Sequence, residues 1–346
     1  MAARRSISKS LVNLIEVGGH ESDRYLRTAS LILVAGGWDG THYLASAELF
    51  DPLTGSFRAT GSMPAPVGGQ TATLLHDGRV LIGGGFNGES NQRTASALLC
   101  DPKTGTFTAT GAMRVARSNH SAILLSDGRV LIIGGYGTDY LASAEVYDPA
   151  TGTFSQSGSM SPSLWSPVAA LLPSGDVLVV SNGSPANPGP ASAELFDPET
   201  GAFSPTGSMV ACWASAAIVL RDGRVLITGE TAISTGTAPA GLPSAEIYDP
   251  RTGTFKLNES PPPAVAETTA LLASGQVLVQ GAHQSVCLFD PGTGSFKAGG
   301  TMTMVRMAPT TTLLQDGRVL VAGGSGPSSG GDTPGPVLNS AELYTP

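Results

Sequence analysis

The sequence is short of charge and nearly devoid of cysteine. Asp, Glu, Lys and Arg together make up 13% of its 346 residues, about half the share usual in a soluble domain. No run of basic residues occurs and the net charge is −8, which excludes the electrostatic footprint of a nucleic-acid-binding chain. The three cysteines form no CxxC pair and have no histidine at zinc-ligand spacing, so neither a metal site nor a cofactor is expected. Cys100 and Cys287 stand where other repeats place an aromatic residue and a glutamate, and are expected to be packed, reduced thiols. No apolar run is long enough to span a membrane. The one in MAARRSISKSLVNLIEVGGHESD is too short for a signal-peptide core. The chain therefore reads as soluble and cytoplasmic, or secreted if a leader was removed. Helical periodicity is absent. So are GxxxxGK[ST], HExxH and GxSxG, and GGGFNG at 83–88 fits GxGxxG without the helix that phosphate binding needs.

What is abundant is glycine (45) and proline (25), and both recur at fixed places. Aligned on the Phe of DPxTGxF, the copies place Phe57, Phe107, Phe154, Phe203, Phe255 and Phe296 at intervals of 41–52 residues. Repeats of that period announce the architecture before any other feature does. Each unit reads as an apolar run such as SAILL, a turn dipeptide such as Asp127-Gly128, RVLIIGG, a variable loop, SAEVYDPATGTF, and a tail ending GSM. Asp-Gly between apolar runs predicts a two-residue type I′ hairpin turn with positive φ at both positions. DPxTG predicts another turn, and short β-branched runs between turns predict strands. Each unit is thus a four-stranded antiparallel meander. One aligned position holds Ala29, Ala72, Ala122, Ala169, Ala217, Thr269 and Thr311, small residues suited to strands crowded about an axis.

The glycine pairs Gly36-Gly37, Gly84-Gly85, Gly134-Gly135 and Gly323-Gly324, the GGWDG at 36–40 and the period give the chain a resemblance to kelch-type β-propellers of the bacterial, galactose-oxidase-like form. The resemblance covers nearly the whole chain. It implies an all-β, seven-bladed β-propeller of four-stranded antiparallel blades in one domain over 14–346, with 1–13 as a disordered or extended N-terminal segment. It also implies closure by joining N- and C-terminal strands in one blade. LIEVGGHESDRYLRTASLI aligns without gaps to FRATGSMPAPVGGQTATLL, which would make it the outer strand of the last blade. RTASLILVAGG, residues 27–37, lacks the turn and about one strand of its repeat. Blade 1 is therefore expected to be incomplete, with 28–37 a single strand.

Repeats supply their own control: residues present in every copy are structural, and those unique at an equivalent position are functional candidates. By that test the DGR arginines (Arg79, Arg129, Arg224, Arg318) and the SAE glutamates (Glu48, Glu145, Glu194, Glu246, Glu342) are structural, and pairing between the two sets is expected. Candidates come from the variable face, where loops on a rigid scaffold carry binding. Arg24, Arg27, Gln70, Arg117, Asn119, His120, Trp165, Trp213, Glu267 and Arg306 are expected to ring the mouth of a central channel, the tryptophans as flat walls and the arginines facing a polar or anionic ligand. His120 and Glu267 are the acid–base candidates, on blades too far apart for a direct dyad. Trp38, Phe86 and Tyr136 follow the second strand in three blades and predict an aromatic patch. The copper oxidases of this superfamily need two His, two Tyr and a Cys; the five histidines here show no clustered pair matching that set. The expected function is a protein- or ligand-binding module acting through the variable loops. The alternative is an isomerase- or cyclase-type enzyme using the Trp/Arg-lined pocket. The partner is an unknown protein or a small polar or anionic ligand, with no nucleic acid and no membrane.

Overall fold

The computed structural model describes residues 13–17, 31–88, 90, 92–164, 166–180, 192–209, 212–231, 242–281, 284–327 and 335–346. Strands are the only regular elements among them, and none of the described residues forms a helix able to cross a membrane. The fold is a seven-bladed β-propeller whose blades are antiparallel sheets, six with strands a to d in chain order and blade 7 with three strands among the described residues.

The chain divides into two units. The first holds three blades: blade 1 (Asn13–Val17, Leu31–Ala35, Ala47–Asp51, Ser56–Ala59), blade 2 (Thr71–Leu74, Val80–Gly83, Ala97–Asp101, Thr106–Ala109) and blade 7 (Thr310–Leu313, Val319–Ala322, Ala341–Tyr344). In it, strand a of blade 1 lies beside strands a of blades 2 and 7. The second unit holds blade 3 (Ser121–Leu124, Val130–Ile133, Leu141–Asp148, Thr153–Leu164), except its turn at 148–154, which belongs to the first. It also holds blade 4 (Val168–Leu171, Val177–Val180, Ala193–Asp197, Ala202–Pro205), blade 5 (Cys212–Val219, Val225–Thr231, Pro243–Asp249, Thr254–Leu257) and blade 6 (Ala266–Leu271, Val277–Gly281, Ser285–Asp290, Ser295–Thr301). Their strands a run side by side in order.

Strand b is buried on both faces in every blade. Val80, Val130, Val177, Val225, Val277 and Val319 are wholly enclosed, which explains why these segments read as continuous apolar runs and not as alternating ones. Alternate residues face opposite neighbours: Val225 and Ile227 pack toward blade 4, whereas Leu226 packs toward blade 6. The tail methionines Met63, Met160 and Met209 fill the clusters between successive blades. The described cysteines Cys100 and Cys287 are free and buried, as expected, and burial pushes both thiols up to about 11.

Two turns repeat at one end of the blades. At the Asp-Gly turn only the glycine has positive φ (Gly78 +85°, Gly128 +87°, Gly223 +86°, Gly317 +86°), while the aspartate does not. The expected type I′ turn is therefore replaced by a three-residue loop, closed by Leu75 N–H donating to the Arg79 carbonyl (2.8 Å) and Gly78 N–H to the Leu75 carbonyl (3.0 Å). Its left-handed last residue needs glycine. The aspartate accepts the N–H of the arginine two residues on, as Asp77 Oδ1 does from Arg79 (2.9 Å). DPxTG behaves as predicted, with φ of +67° at Gly55 and +72° at Gly105.

The N-terminal strand corrects the closure expected from the sequence. Asn13–Val17 pairs antiparallel with Leu31–Ala35, from Asn13 opposite Ala35 to Val17 opposite Leu31, and so becomes strand a of blade 1, not the outer strand of blade 7. Leu31–Ala35 is one strand with no turn at 31–33, but it stops short of the expected residue 37, because Gly36 and Gly37 take positive φ (+69° and +107°); residues 28–30 lie outside the described residues. The first repeat thus supplies three strands of its own blade. A strand b without a partner would leave a row of backbone N–H and C=O groups unpaired at the crowded inner edge, a cost that any strand-length segment nearby can relieve.

Neighbouring blades are also stitched at their outer ends through glycine. Gly158 N–H donates to the Gly201 carbonyl and Gly207 N–H to the Gly253 carbonyl, each at 2.9 Å. A Cβ on Gly158 would stand 2.5 Å from that same carbonyl oxygen and 3.3 Å from the Phe203 ring. Gly158→Ala is therefore expected to cost about 1–3 kcal/mol of stability, read as a lowered urea midpoint, whereas Gly175→Ala should cost only the strain of its positive φ.

Candidate functional site

The residues expected to ring a channel mouth differ in burial. Arg24 and Arg27 lie outside the described residues, as does Trp165. In the first unit Arg306 is wholly buried. Its Nε donates to Glu342 Oε1 (3.1 Å), one terminal nitrogen to the carbonyls of Gly323 (2.9 Å) and Ser340 (2.8 Å), and the other to Ser340 Oγ (2.9 Å). Arg117 is likewise wholly buried, its Nε toward the Val115 carbonyl at 3.4 Å. These guanidiniums are spent inside the protein. The Arg306–Glu342 pair also corrects the expected pairing of DGR arginines with SAE glutamates. The DGR arginines bridge the aspartate of their own turn, 2.6 Å for Arg129–Asp127 and 2.7 Å for Arg224–Asp222. Three reach a proline carbonyl of another blade: Arg129 to Pro198 (2.9 Å), Arg224 to Pro291 (3.3 Å) and Arg318 to Pro52 (2.5 Å).

One backbone feature recurs ahead of the innermost strands. The residue two before strand a is left-handed in four blades: Gly69 (φ +69°), Asn119 (+52°), Ser166 (+52°) and Ala308 (+49°). The residue after it is buried in each case, namely Gln70, His120, Pro167 and Pro309. Gln70 Nε2 donates to the Ala35 carbonyl of blade 1 at 2.9 Å. Blades 5 and 6 place a β-bulge there instead, between Ala214 and Ala216 and between Ala266 and Thr268. Its extra residue stays accessible, Ser215 exposed and Glu267 half-buried, as bulges commonly re-aim side chains. Trp213 is half-buried opposite Glu230, and its buried Nε1 has no acceptor among the described residues.

The loop aromatics come together. In the first unit Trp38 meets Tyr43 edge-on, ring centroids 4.8 Å apart, and Tyr43 stacks parallel to Phe86 at 6.1 Å. The Arg93 guanidinium lies 5.2 Å from the Phe86 ring centre, within cation–π range. Backbone bridges Trp38–Tyr43 and Phe86–Arg93 tie each loop to itself, and Val67–Gly68 pairs with Phe86–Asn87. Gly68 is obligatory, because a Cβ there would overlap the Tyr43 ring. All four side chains are half-buried: packed from below and open above. In the second unit Tyr136 packs edge-on against Tyr140 at 5.3 Å. Sequence reasoning named Trp38, Phe86 and Tyr136 but missed Tyr43, Arg93 and Gly68. The closing residues of WDGTHY and FNGESNQR were the available signal.

Beside Trp38 the loop is pinned by one carboxylate. Asp39 Oδ1 accepts from Thr41 N–H (2.7 Å), Thr41 Oγ1 (2.8 Å) and His42 N–H (2.7 Å). These bonds, the His42 N–H first, pull its pKa down to about 2. Side chains of Asp39 and His42 remain open to solvent. Burial pushes the Tyr43 hydroxyl up. Among the described residues no three His, Cys, Asp or Glu side chains group as metal ligands would.

Two mutational outcomes follow. Arg306→Met should cost about 3–5 kcal/mol by removing the buried guanidinium that meets Glu342, the Gly323 and Ser340 carbonyls and Ser340 Oγ, measured by denaturant unfolding; a loss below about 1 kcal/mol would return Arg306 to the ligand-facing set. Asp39, depressed in the folded state, contributes its loop-ordering bonds above its unfolded pKa of about 3.9. That contribution is lost as pH falls through about 2. Trp38 fluorescence should follow this titration, and Asp39→Asn should abolish it.

The kelch motif profile matches residues 27–64 and 117–161. A stretch of 61 residues is 39% identical to spermatocyte protein spe-26 of Caenorhabditis elegans, covering 18% of this chain and 10% of that protein. The chain therefore matches only a tenth of that relative's length. Among solved structures, a fungal alcohol oxidase of the AA5 family, determined in complex with copper, superposes with a TM-score of 0.65 at 18% identity. The superposition covers 86% of this chain and 68% of the oxidase. At that identity it is the fold that the two share.

Proposed function

Starting from a kelch-repeat β-propeller, we propose that this chain is an interaction module that binds a protein partner through the variable loops of blades 1 and 2. The observation that carries the reading is the half-open platform of Trp38, Tyr43, Phe86 and Arg93 with the fixed carboxylate of Asp39 beside it. Rigid aromatics give large contact area at little entropic cost, and interface energy concentrates on Trp, Tyr and Arg. Loops tied by their own backbone bridges lose little freedom on binding. A partner side chain that is flat or cationic suits the half-buried Trp38 ring next to an ionised aspartate. The catalytic alternative has less support, since Arg117 and Arg306 are wholly enclosed.

Position-specific photo-crosslinking tests this reading. A benzophenone side chain at His42, which is 81% exposed, is expected to capture a discrete adduct from an extract of the source cells. The same group at Lys103, in a turn at the other end of the blade, should not. Trp38→Ala should reduce the His42 adduct at least about tenfold. Equal capture from the two positions, or no adduct from His42, would sink the proposal.

A further inference from the structure

The second unit holds an open cleft of about 370 Å³ at the turn end of blades 5 and 6, lined chiefly by Arg221, Ser274, Gly275, Gln276, Asp290 and Pro291. The repeats show what is unusual about it. The turn between strands a and b carries an Asp–Arg ion pair in blades 2, 3, 5 and 7, at 2.6, 2.6, 2.7 and 2.6 Å. In blade 3 that arginine reaches on to the Pro198 carbonyl of blade 4 (2.9 Å), and in blade 5 Arg224 reaches Pro291 of blade 6 (3.3 Å). Blade 6 lacks the pair. Its turn is Ser274-Gly275-Gln276, with Ser274 Oγ accepting the Gln276 N–H at 3.3 Å. The turn into its fourth strand also has the least side chain, Gly292 standing where other blades have Leu53, Lys103, Ala150, Glu199 and Arg251. Small or uncharged side chains therefore line the cleft at positions that hold bulk or charge elsewhere.

Into this corner blade 5 sends a cation that no other repeat has. Arg221 stands where the other copies have His76, Ser126, Pro173, Ala273 and Gln315. Its side chain lies over the blade 6 turn: Cδ, Nε and Cζ are 3.3, 3.4 and 3.8 Å from where a Gly275 Cβ would stand. One terminal nitrogen donates to the Ala273 carbonyl. That bond fixes the guanidinium without neutralising it, and takes one of its five N–H donors. Among the described residues Arg221 has no ion pair. The neighbouring Asp222 is held by Arg224, through Nε (2.8 Å) and a terminal nitrogen (2.7 Å). Asp290 Oδ1 accepts the N–H groups of Gly292 (2.9 Å) and Thr293 (3.4 Å), which leaves Oδ2 as an acceptor. The Gln276 side-chain amide has no partner among the described residues. Pro291 is the one apolar side chain in the lining.

We propose that this cleft binds a small hydroxylated carboxylate, the chemical class of the sugar acids. The carboxylate pairs with the guanidinium of Arg221, a charge-assisted and geometrically selective contact. The hydroxyls meet the Gln276 amide, the Ser274 hydroxyl and Asp290 Oδ2. A fatty or aromatic acid finds no apolar wall there, and a second negative charge would meet Asp290. The volume suits one such molecule. The cleft belongs to the second unit and the aromatic platform to the first, so each assignment stands without the other.

D-Glucuronate, D-galacturonate and D-gluconate are the probes, titrated against the full chain and followed by ligand-observed NMR and calorimetry. At least one is expected to bind with a dissociation constant of about 1 mM or tighter. Arg221→Gln should weaken that binding at least about tenfold. Arg58→Gln, which removes a charge from the exposed strand Ser56–Ala59, should leave it unchanged. The double variant Ser274→Asp, Gln276→Arg rebuilds the ion pair of the other blades and should abolish binding without lowering the melting temperature. Binding of none of the three probes would overturn the proposal. So would equal affinity for D-glucose, which lacks the carboxylate, or for acetate, which lacks the hydroxyls. Binding that survives Arg221→Gln intact, or that Arg58→Gln weakens as much, would overturn it as well.

Discussion

Every other feature of this protein answers to one constraint: the second strand of each blade is dry on both faces. A sheet covered by a neighbour on either side has no solvent-facing residue to spare, so Val80, Val130, Val177, Val225, Val277 and Val319 are wholly enclosed. Polar chemistry is driven to strand ends and loops, where backbone groups and side chains still find partners. The Asp-Gly turns, the DPxTG turns and the variable loops are thus the available sites for charge.

Where a charge does enter the interior, it comes with its complement. Three of the SAE glutamates, Glu145, Glu194 and Glu246, are buried, whereas Glu48 is exposed. Glu342 is met by a guanidinium that also satisfies two carbonyls and a hydroxyl. Glu194 instead accepts the Ser161 N–H, and burial raises its pKa. An arginine that looks unusual in an alignment of repeats can therefore be a buried tie. Uniqueness among copies pointed to Arg117 and Arg306 as ligand-facing because the alignment carries no information on which way a side chain turns.

The loop platform reverses that lesson. Trp38 and Phe86 were legible as exposed aromatics after a glycine pair, since a blade's variable end cannot bury them all. Their joining through Tyr43, and the need for Gly68 beneath that ring, depended on two loops from different blades meeting. Asp39 illustrates the finer scale: its local turn is foreseeable from Asp-Gly-Thr-His, yet the depth of its pKa depression comes from three bonds to one oxygen.

The sequence by itself determined the repeat, the meander of each blade, the glycine-dependent turns and the dry strand. All of these rest on contacts within about fifty residues. Tertiary structure alone decided that Asn13–Val17 serves blade 1, that Arg306 is bound to Glu342, and that Tyr43 joins Trp38 to Phe86. Those outcomes turn on which edges and side chains meet when the repeats are laid side by side, information that spacing along the chain does not carry.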